Sequence, residues 1–180
     1  MTSRLKISLV TPTLNSARYL PEMFSSIRAQ TGTFRLQHVV IDGGSTDQTL
    51  DIIKNNASNL EYWESNPDEG MYDALSKGFE RTDGELMGWL NSDDIYFPWA
   101  LSTVSSIFSS LPEVEWISSL SPAMINSYQQ IKKINHIPGF SSQAFIDGIY
   151  VGFDGLGNSY ACDFIQQEST FWRRSLWESL

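Results

Sequence analysis

Adjacent carboxylates that could bind a cation follow one of the apolar runs in this chain. Asp93 and Asp94 come directly after residues 86–90, with Asn91 opening the same segment. Neighbouring carboxylates repel each other unless a cation lies between them, and hard divalent ions prefer oxygen ligands. An isolated Ser-Asp-Asp is more often an ordinary solvated turn. Its position after a strand-like run, with another carboxylate ending a neighbouring run, favours a metal site instead.

Two other strand-like runs end in hydroxyl, amide and carboxylate groups. Thr11, Thr13 and Asn15 end or follow the first run, and Asp42 ends the second. Ligands of open parallel sheets bind outside the carboxyl ends of the strands, so we expect these groups to share one edge with the acidic pair. Asp42 can there accept a hydrogen bond from a base or a ribose. The turn at residues 43–45 is explained by glycine conformation and helix capping alone.

Other chemically capable residues have structural explanations. The acidic segment from Asp68 to Asp73 begins a predicted helix, where the helix dipole favours carboxylates without any ligand. Asp73 and Lys77 have the spacing of a surface ion pair worth ~0.3 kcal/mol. His38 lies in an apolar run and His136 in a predicted loop, and two histidines so far apart make no metal motif.

Composition narrows the class of protein. The 180 residues carry 21 acidic and 12 basic side chains, for a net charge of −9, with 13% aromatics. The chain is long enough for a full core, and its aromatic content argues against disorder. It offers no basic surface for nucleic acid, so we expect no DNA or RNA binding. The single cysteine, Cys162, excludes an internal disulfide. No apolar run reaches the ~20 residues of a membrane helix, so we predict a cytoplasmic protein without a transmembrane segment.

The elements that position these residues alternate between strand and helix patterns. This alternation predicts an α/β fold with a mostly parallel sheet flanked by helices. The predicted strands are residues 5–10, 36–41, 60–64, 85–90 and 114–120. The predicted helices are residues 17–29, 45–56, 71–81 and 99–111. Beyond them we expect short strands, one helix and loops over 122–163, and then a strand and a short helix.

Helix ends and chain organisation can also be predicted. Asn15 or Ser16 is expected to cap the first helix, and Ser45 with Gln48 has the spacing of a capping box for the second. Residues 1–120 should form one α/β half and residues 121–180 the start of a second region of the same domain. The final helix leaves three apolar side chains with little to pack on, so we expect a fragment of a longer protein. These side chains are Leu176, Trp177 and Leu180.

Four segments occur in the order and spacing typical of glycosyltransferase family 2. They are residues 7–15, 40–47, 69–74 and 88–94, and residues 166–174 resemble a further segment downstream. The chain thus resembles a bacterial member of this family with the GT-A fold, over about residues 5–110. The resemblance implies inverting transfer of a sugar from a nucleotide-diphospho-sugar donor to a saccharide or lipid-linked acceptor in polysaccharide biosynthesis. Peripheral contact with the inner face of the membrane is compatible with this function.

The resemblance also implies roles for single residues of the donor site. Thr11 and Asn15 line the nucleoside pocket, and Thr13 belongs to the same polar group. Asp42 accepts a hydrogen bond from the base. Asp73 lies near the sugar or the ribose.

Asn91-Ser92-Asp93-Asp94 occurs where the family carries its metal motif. Asp93 and Asp94 are therefore expected to hold Mn²⁺ or Mg²⁺ on the diphosphate, with Asn91 and Asp93 near the donor. Asn91 replaces the aspartate often found at the start of the motif. Which of the two aspartates contacts the metal directly therefore stays open.

The usual base of the family lies after the 166–174 segment, and this chain stops at Leu180. Glu168 is the candidate base here, or else it contacts the acceptor, so we expect intact donor binding with incomplete catalysis. The alternative is a donor-binding fragment or sensor without transfer activity. A Rossmann dehydrogenase is disfavoured because the turn at residues 11–16 contains no glycine, and a P-loop kinase because no Gly-Lys-Ser/Thr occurs.

Overall fold

The computed structural model describes most of the chain in two compact units. The described residues are 4–126, 130–134, 141, 143, 146 and 165–179, so Cys162 and His136 lie outside them. One unit contains the described residues up to Ile117 together with those from Phe171 onward, and the other contains those between Ser118 and Thr170.

The larger unit is built on a six-stranded sheet. The strands of the described chain are β1 (Lys6–Thr13), β2 (Arg35–Asp42), β3 (Tyr62–Ser65), β4 (Leu86–Trp89), β5 (Trp116–Ile117), β6 (Ala123–Ile125), β7 (Ile131–Ile134) and β8 (Phe171–Arg173). The sheet has the order β3-β2-β1-β4-β8-β5, in which β8 alone runs antiparallel to its neighbours. β6 and β7 form a separate antiparallel pair in the smaller unit. The predicted α/β fold with a mostly parallel sheet is confirmed.

Helices follow the strands in the order that the sequence pattern predicts. They are α1 (Leu20–Arg28), α2 (Thr49–Asn56), α3 (Met71–Glu80), α4 (Ala100–Ser110) and α5 (Arg174–Glu178). Short 3₁₀ turns cover Ala57–Asn59 and Gln167–Ser169. In α1 a proline occupies the first turn, where its fixed φ suits the helix and its missing N–H is not needed.

The core has two layers, one on each face of the sheet. Ile7 and Leu9 of β1 pack with α1, α2 and α4, whereas Val10 packs with α3 on the opposite face. This division follows from the two-residue period of a strand, which directs successive side chains to opposite faces. Because both faces are covered, β1 is buried along nearly its whole length, including its polar residues Ser8, Thr11 and Thr13.

The predicted helix caps are wrong. Neither α1, preceded by Tyr19, nor α2, preceded by Gln48, has a side-chain capping hydrogen bond. The Ser45 hydroxyl is instead bonded to Asp42 and to the backbone of Asn15, so it is not available to cap α2.

The expectation that the last helix lacks packing partners is also wrong. The Trp177 ring lies 5.5 Å from Phe79 and 6.1 Å from Trp172, and Leu176 packs on the same face of the sheet. Leu180 lies outside the described residues. In the described ranges, no helix combines the length and apolar character that crossing a bilayer requires.

Helix α3 approaches the sheet so closely that Gly78 has no room for a side chain. A Cβ at this position would lie 2.4 Å from Val10 Cγ1 and 3.3 Å from Ile41 Cγ1. Alanine is the better helix former by ~1 kcal/mol, but overpacking a core costs ~1–3 kcal/mol. The 2.4 Å overlap belongs at the upper end of this cost, so Gly78→Ala should lower the free energy of unfolding by about 2 kcal/mol, measured by urea titration. Ser76→Ala, at an exposed position of the same helix, is the control and should be neutral or slightly stabilising. Equal stability of the two variants would contradict this close packing.

Candidate functional site

Parallel pairing brings the ends of three strands to one edge of the sheet. Thr13 lies beside Asp42 in the register of β1 and β2, and Val10 lies beside Trp89 in that of β1 and β4. The segments that follow these strands therefore start next to one another. The Ser92 hydroxyl donates to the Ser16 hydroxyl at 2.8 Å, which joins the loop after β4 to the loop after β1.

Asp42 is a fully buried carboxylate with three protein donors. Its Oδ2 accepts hydrogen bonds from the Ser45 amide at 3.0 Å and from the Ser65 hydroxyl at 2.6 Å. The Ser45 hydroxyl donates to Oδ1. A buried charge is costly unless it is hydrogen-bonded, and bonds to a carboxylate are stronger than neutral ones. Asp42 thereby fastens the turn after β2 to the end of β3, and its contact with a base stays a prediction.

Ser45 extends this connection to the loop after β1. Its hydroxyl accepts a hydrogen bond from the Asn15 amide at 2.7 Å while it donates to Asp42. Asn15 has φ +49°, a left-handed conformation that asparagine tolerates. Its side-chain carbonyl accepts from the Thr46 amide at 2.9 Å. This side-chain oxygen therefore holds the loop after β2 in place. The contact of Asn15 with a nucleoside stays a prediction.

Thr11 and Thr13 occupy the same face of β1 but have different surroundings. The Thr11 hydroxyl is buried 3.0 Å from Nε2 of His38. Burial lowers the pKa of His38 to about 4, so the ring is neutral at pH 7. Thr13 is also buried, yet its hydroxyl has no hydrogen-bond partner among the described residues. A buried hydroxyl without a partner costs ~1–3 kcal/mol, which makes Thr13 a position where a bound molecule or water would be stabilised.

The loop after β4 offers one amide and two carboxylate side chains within four residues. Asn91 is half-buried, and its Oδ1 has no hydrogen-bond partner within the described ranges. Asp93 is exposed and Asp94 is half-buried. The Asp94 amide donates to the Asn91 carbonyl at 3.1 Å and closes the turn that presents both carboxylates.

These oxygens fit a hard cation only as part of a larger ligand set. No group of three or more His, Cys, Asp or Glu side chains in the described part of the chain could hold a metal ion by itself. Divalent cations such as Mg²⁺ commonly combine one or two carboxylates with phosphate oxygens and water. Asp93 and Asp94 fit that arrangement, in which a bound phosphate supplies the missing ligands.

The start of α3 contributes a second group of charges. Asp73 pairs with Lys77 at 2.7 Å and accepts a hydrogen bond from the Glu69 amide at 3.0 Å, which confirms the ion pair that their spacing indicates. The hydrogen bond from Lys77 is the main cause that lowers the pKa of Asp73, and the same bond raises the pKa of Lys77.

Asp68 lies at the same edge, although its place in the sequence indicates only the start of a helix. Its Oδ1 accepts from the Gly70 amide at 2.9 Å, and a Cβ at Gly43 would lie 2.9 Å from its Oδ2. The carboxylate therefore lies against the glycine turn after β2. Strand order could have indicated this position. Because β3 pairs with β2 in parallel, the loop that follows β3 starts at the same edge of the sheet.

Glu168 lies in the 3₁₀ turn Gln167–Ser169 of the smaller unit and is half-buried. The other eight predicted site residues all lie in the larger unit. The structure brings those at the ends of β1, β2 and β4 to one edge of the sheet. Asp68, which was not predicted, joins them from the loop after β3.

Comparisons with known proteins agree with this architecture. Residues 8–113 match the model of the family described as Glycosyl transferase family 2. An uncharacterised glycosyltransferase of Mycobacterium tuberculosis is 37% identical over 94 residues, which is 52% of this chain and 36% of that protein. A PGL/p-HBAD biosynthesis glycosyltransferase of Mycobacterium bovis is 43% identical over 91 residues, which is 48% of this chain and 35% of that protein. The chain thus spans about a third of the length of these relatives.

Solved structures show the same fold at low sequence identity. TarS 1–349 of S. aureus, in complex with UDP-GlcNAc, has a TM-score of 0.65 at 17% identity and covers 97% of this chain and 47% of its own. The mannosyltransferase PcManGT of Pyrobaculum calidifontis, in complex with GDP-Man and Mn²⁺, has a TM-score of 0.64 at 19% identity, with coverages of 99% and 47%. These similarities confirm the GT-A fold.

The buried Asp42 carboxylate should stabilise the chain without any ligand. In Asp42→Asn, one acceptor oxygen becomes a donor that faces serine donors, and hydrogen bonds to a charged group are worth ~1.5–3 kcal/mol. We expect the free energy of unfolding to fall by about 2–3 kcal/mol in urea titration. Asp51→Asn removes the same charge from an exposed position of α2 and should change stability by less than ~0.5 kcal/mol. A variant at position 42 as stable as this control would contradict the role of Asp42 in holding the turn.

Proposed function

The chain belongs to glycosyltransferase family 2, and from this premise we propose that it binds the nucleoside diphosphate of a sugar donor at the edge formed by β1, β2 and β4. One observation carries the proposal. At this edge the Thr13 hydroxyl and the Asn91 amide oxygen are buried without partners among the described residues, in the same region as the Asp93–Asp94 pair. A buried polar atom without a partner needs an explanation, and at this edge a polar ligand would supply one.

We assign the diphosphate to the loop after β4. A donor of this class is anionic, and this edge is lined by carboxylates, so binding requires a cation between the two. Asp93 and Asp94 would hold Mn²⁺ or Mg²⁺, which when bound neutralises the charge that develops on the departing diphosphate. The Mn²⁺ in the PcManGT complex supports this choice of metal. Asn91, in the same loop, has a buried side-chain oxygen without a partner among the described residues.

We assign recognition of the base to the turn after β2. The two oxygens of Asp42 already receive three protein donors, so Asp42 contributes chiefly by holding the turn at Gly43 and Gly44. Asp68 lies against Gly43 with an oxygen available to accept a hydrogen bond from a base. Thr11 and Asn15 support the adjoining loop, and Asp73 is assigned to the sugar or the ribose.

The transfer step itself belongs to the whole protein. The acceptor oxygen attacks the anomeric carbon on the face opposite the diphosphate, so the configuration inverts as the bond from that carbon to the diphosphate breaks. The acceptor proton passes to a carboxylate base. Glu168 is our candidate for this base. The acceptor class that the family favours is a saccharide or a lipid-linked molecule.

Calorimetric titration of UDP, GDP and dTDP, each with and without Mn²⁺, tests the donor site. Wild-type chain should bind at least one of them, and Mn²⁺ should strengthen binding. Asp93→Asn or Asp94→Asn should weaken binding at least about tenfold, which is ~1.4 kcal/mol, and should remove the effect of Mn²⁺. Glu113→Gln, an exposed carboxylate after α4, is the matched control and should bind as the wild type does.

Equal affinities for the wild type and both aspartate variants would remove the metal assignment. Release of sugar from a nucleotide-diphospho-sugar, followed in the same preparations, separates a transferase from a module that only binds the donor. Metal-dependent binding without release of sugar in a chain extended to the length of its relatives would support the binding module.

A further inference from the structure

Lys77 is a basic residue of α3 that the proposed function does not use. Its Nζ lies 2.7 Å from Oδ2 of Asp73, one helical turn earlier, and Asp73 is its only ion-pair partner among the described residues. The same Oδ2 accepts a hydrogen bond from the Glu69 amide at 3.0 Å. Both bonds end on Oδ2, so Oδ1 of Asp73 takes part in none of the hydrogen bonds made within the described ranges.

The negative charges of three carboxylates act on the ammonium group of Lys77. The hydrogen bond with Asp73 is the main cause that raises the pKa of Lys77, and the charges of Asp68 and Glu64 add to it. Glu64 has a donor of its own, the Tyr62 hydroxyl at 2.6 Å. Like charges that lie close together disfavour each other's ionised form unless an opposite charge offsets them. Lys77 supplies this positive charge beside Asp68 and Asp73.

We propose that Lys77 is a positioning residue of the donor site, which holds the Asp73 carboxylate so that its Oδ1 accepts a hydrogen bond from a hydroxyl group of the donor. The inference rests on the proposed function, which assigns Asp73 to the sugar or the ribose. A side chain whose orientation is already fixed loses less conformational entropy when a ligand binds to it. Lys77 itself does not contact the donor in this arrangement, and its effect passes through Asp73.

The contacts of Asp73 favour this role over that of an ordinary surface ion pair. The side chains of Lys77 and Asp73 are 38% and 32% exposed, and ion pairs with so much access to solvent contribute little to stability. Glu69 precedes α3, which begins at Met71, so its amide ties Asp73 to the loop after β3. Asp68, at the sheet edge, belongs to the same loop. The carboxylate of Asp73 is therefore fixed to the loop at the donor edge as well as to its own helix.

Nucleotide binding by Lys77 variants tests the proposal. The probes are whichever of UDP, GDP and dTDP the wild type binds best with Mn²⁺, and the glucose conjugate of that nucleotide. Lys77→Met should weaken binding of at least one probe about tenfold, which lies within the range of coupling between residues in contact. Lys77→Arg keeps the charge and should restore most of the affinity. Lys54→Met makes the same change in charge at an exposed position of α2 and should bind as the wild type does.

A double-mutant cycle separates positioning from simple attraction of the anionic donor. Asp73→Asn should weaken binding of the same probe. Adding Lys77→Met to it should cause little further loss, because the carboxylate that Lys77 holds is already gone. The midpoint of urea unfolding should stay close to that of the wild type in each variant, since an exposed ion pair contributes little to stability.

Three results would overturn the proposal. The first is a Lys77→Met variant that binds both probes as the wild type does. The second is full additivity in the cycle, which would identify a general effect of charge on the donor. The third is a loss of affinity that occurs only with a large fall in the urea midpoint, which would identify a structural role. A wild type that binds no probe contradicts the proposed function and this inference together, whereas any of the three results beside normal wild-type binding contradicts this inference alone.

Discussion

The arrangement of the sheet edge at the ends of β1, β2 and β3 depends on one buried carboxylate. Asp42 ends β2 and receives hydrogen bonds from Ser45 and from Ser65, which ends β3. The same Ser45 hydroxyl accepts from the Asn15 amide in the loop after β1. Loops at the ends of three neighbouring strands are thereby joined through one charge. Because hydrogen bonds in a chain polarise one another inside a protein, we expect these loops to be held as a unit.

This constraint explains why the edge can serve a polar ligand. The carboxylate of Asp42 is buried and hydrogen-bonded by donors of the protein itself. Asp68, Asp93 and Asp94 lie nearer to solvent. An edge of this kind repels an anionic molecule unless a cation accompanies it. The proposed metal is therefore a consequence of the charges at the edge as well as of the family to which the chain belongs.

Much of this architecture could be predicted from the sequence because it depends on local patterns. Continuous apolar runs predict buried strands, and the rule for carboxyl ends of parallel strands predicts that Thr13, Asp42 and Asn91 lie at one edge. Contacts that depend on strand order could not be predicted in this way. The bond from Ser65 to Asp42 and the position of Asp68 against Gly43 both require β3 to lie beside β2. The capping box at Ser45 failed because the Ser45 hydroxyl is bonded instead to Asp42, three residues earlier, and to the backbone amide of Asn15 in the loop after β1.

We propose that a cation held by the loop after β4 joins this edge to a nucleoside diphosphate. Anomalous diffraction from crystals of the chain grown with UDP and Mn²⁺ tests it most directly. We expect a manganese peak within coordination distance of Asp93 or Asp94 and of the diphosphate, and a base lying beside Asp68 and Gly43. An ordered nucleotide whose manganese contacts neither aspartate, or a nucleotide bound away from the ends of β1, β2 and β4, would contradict it.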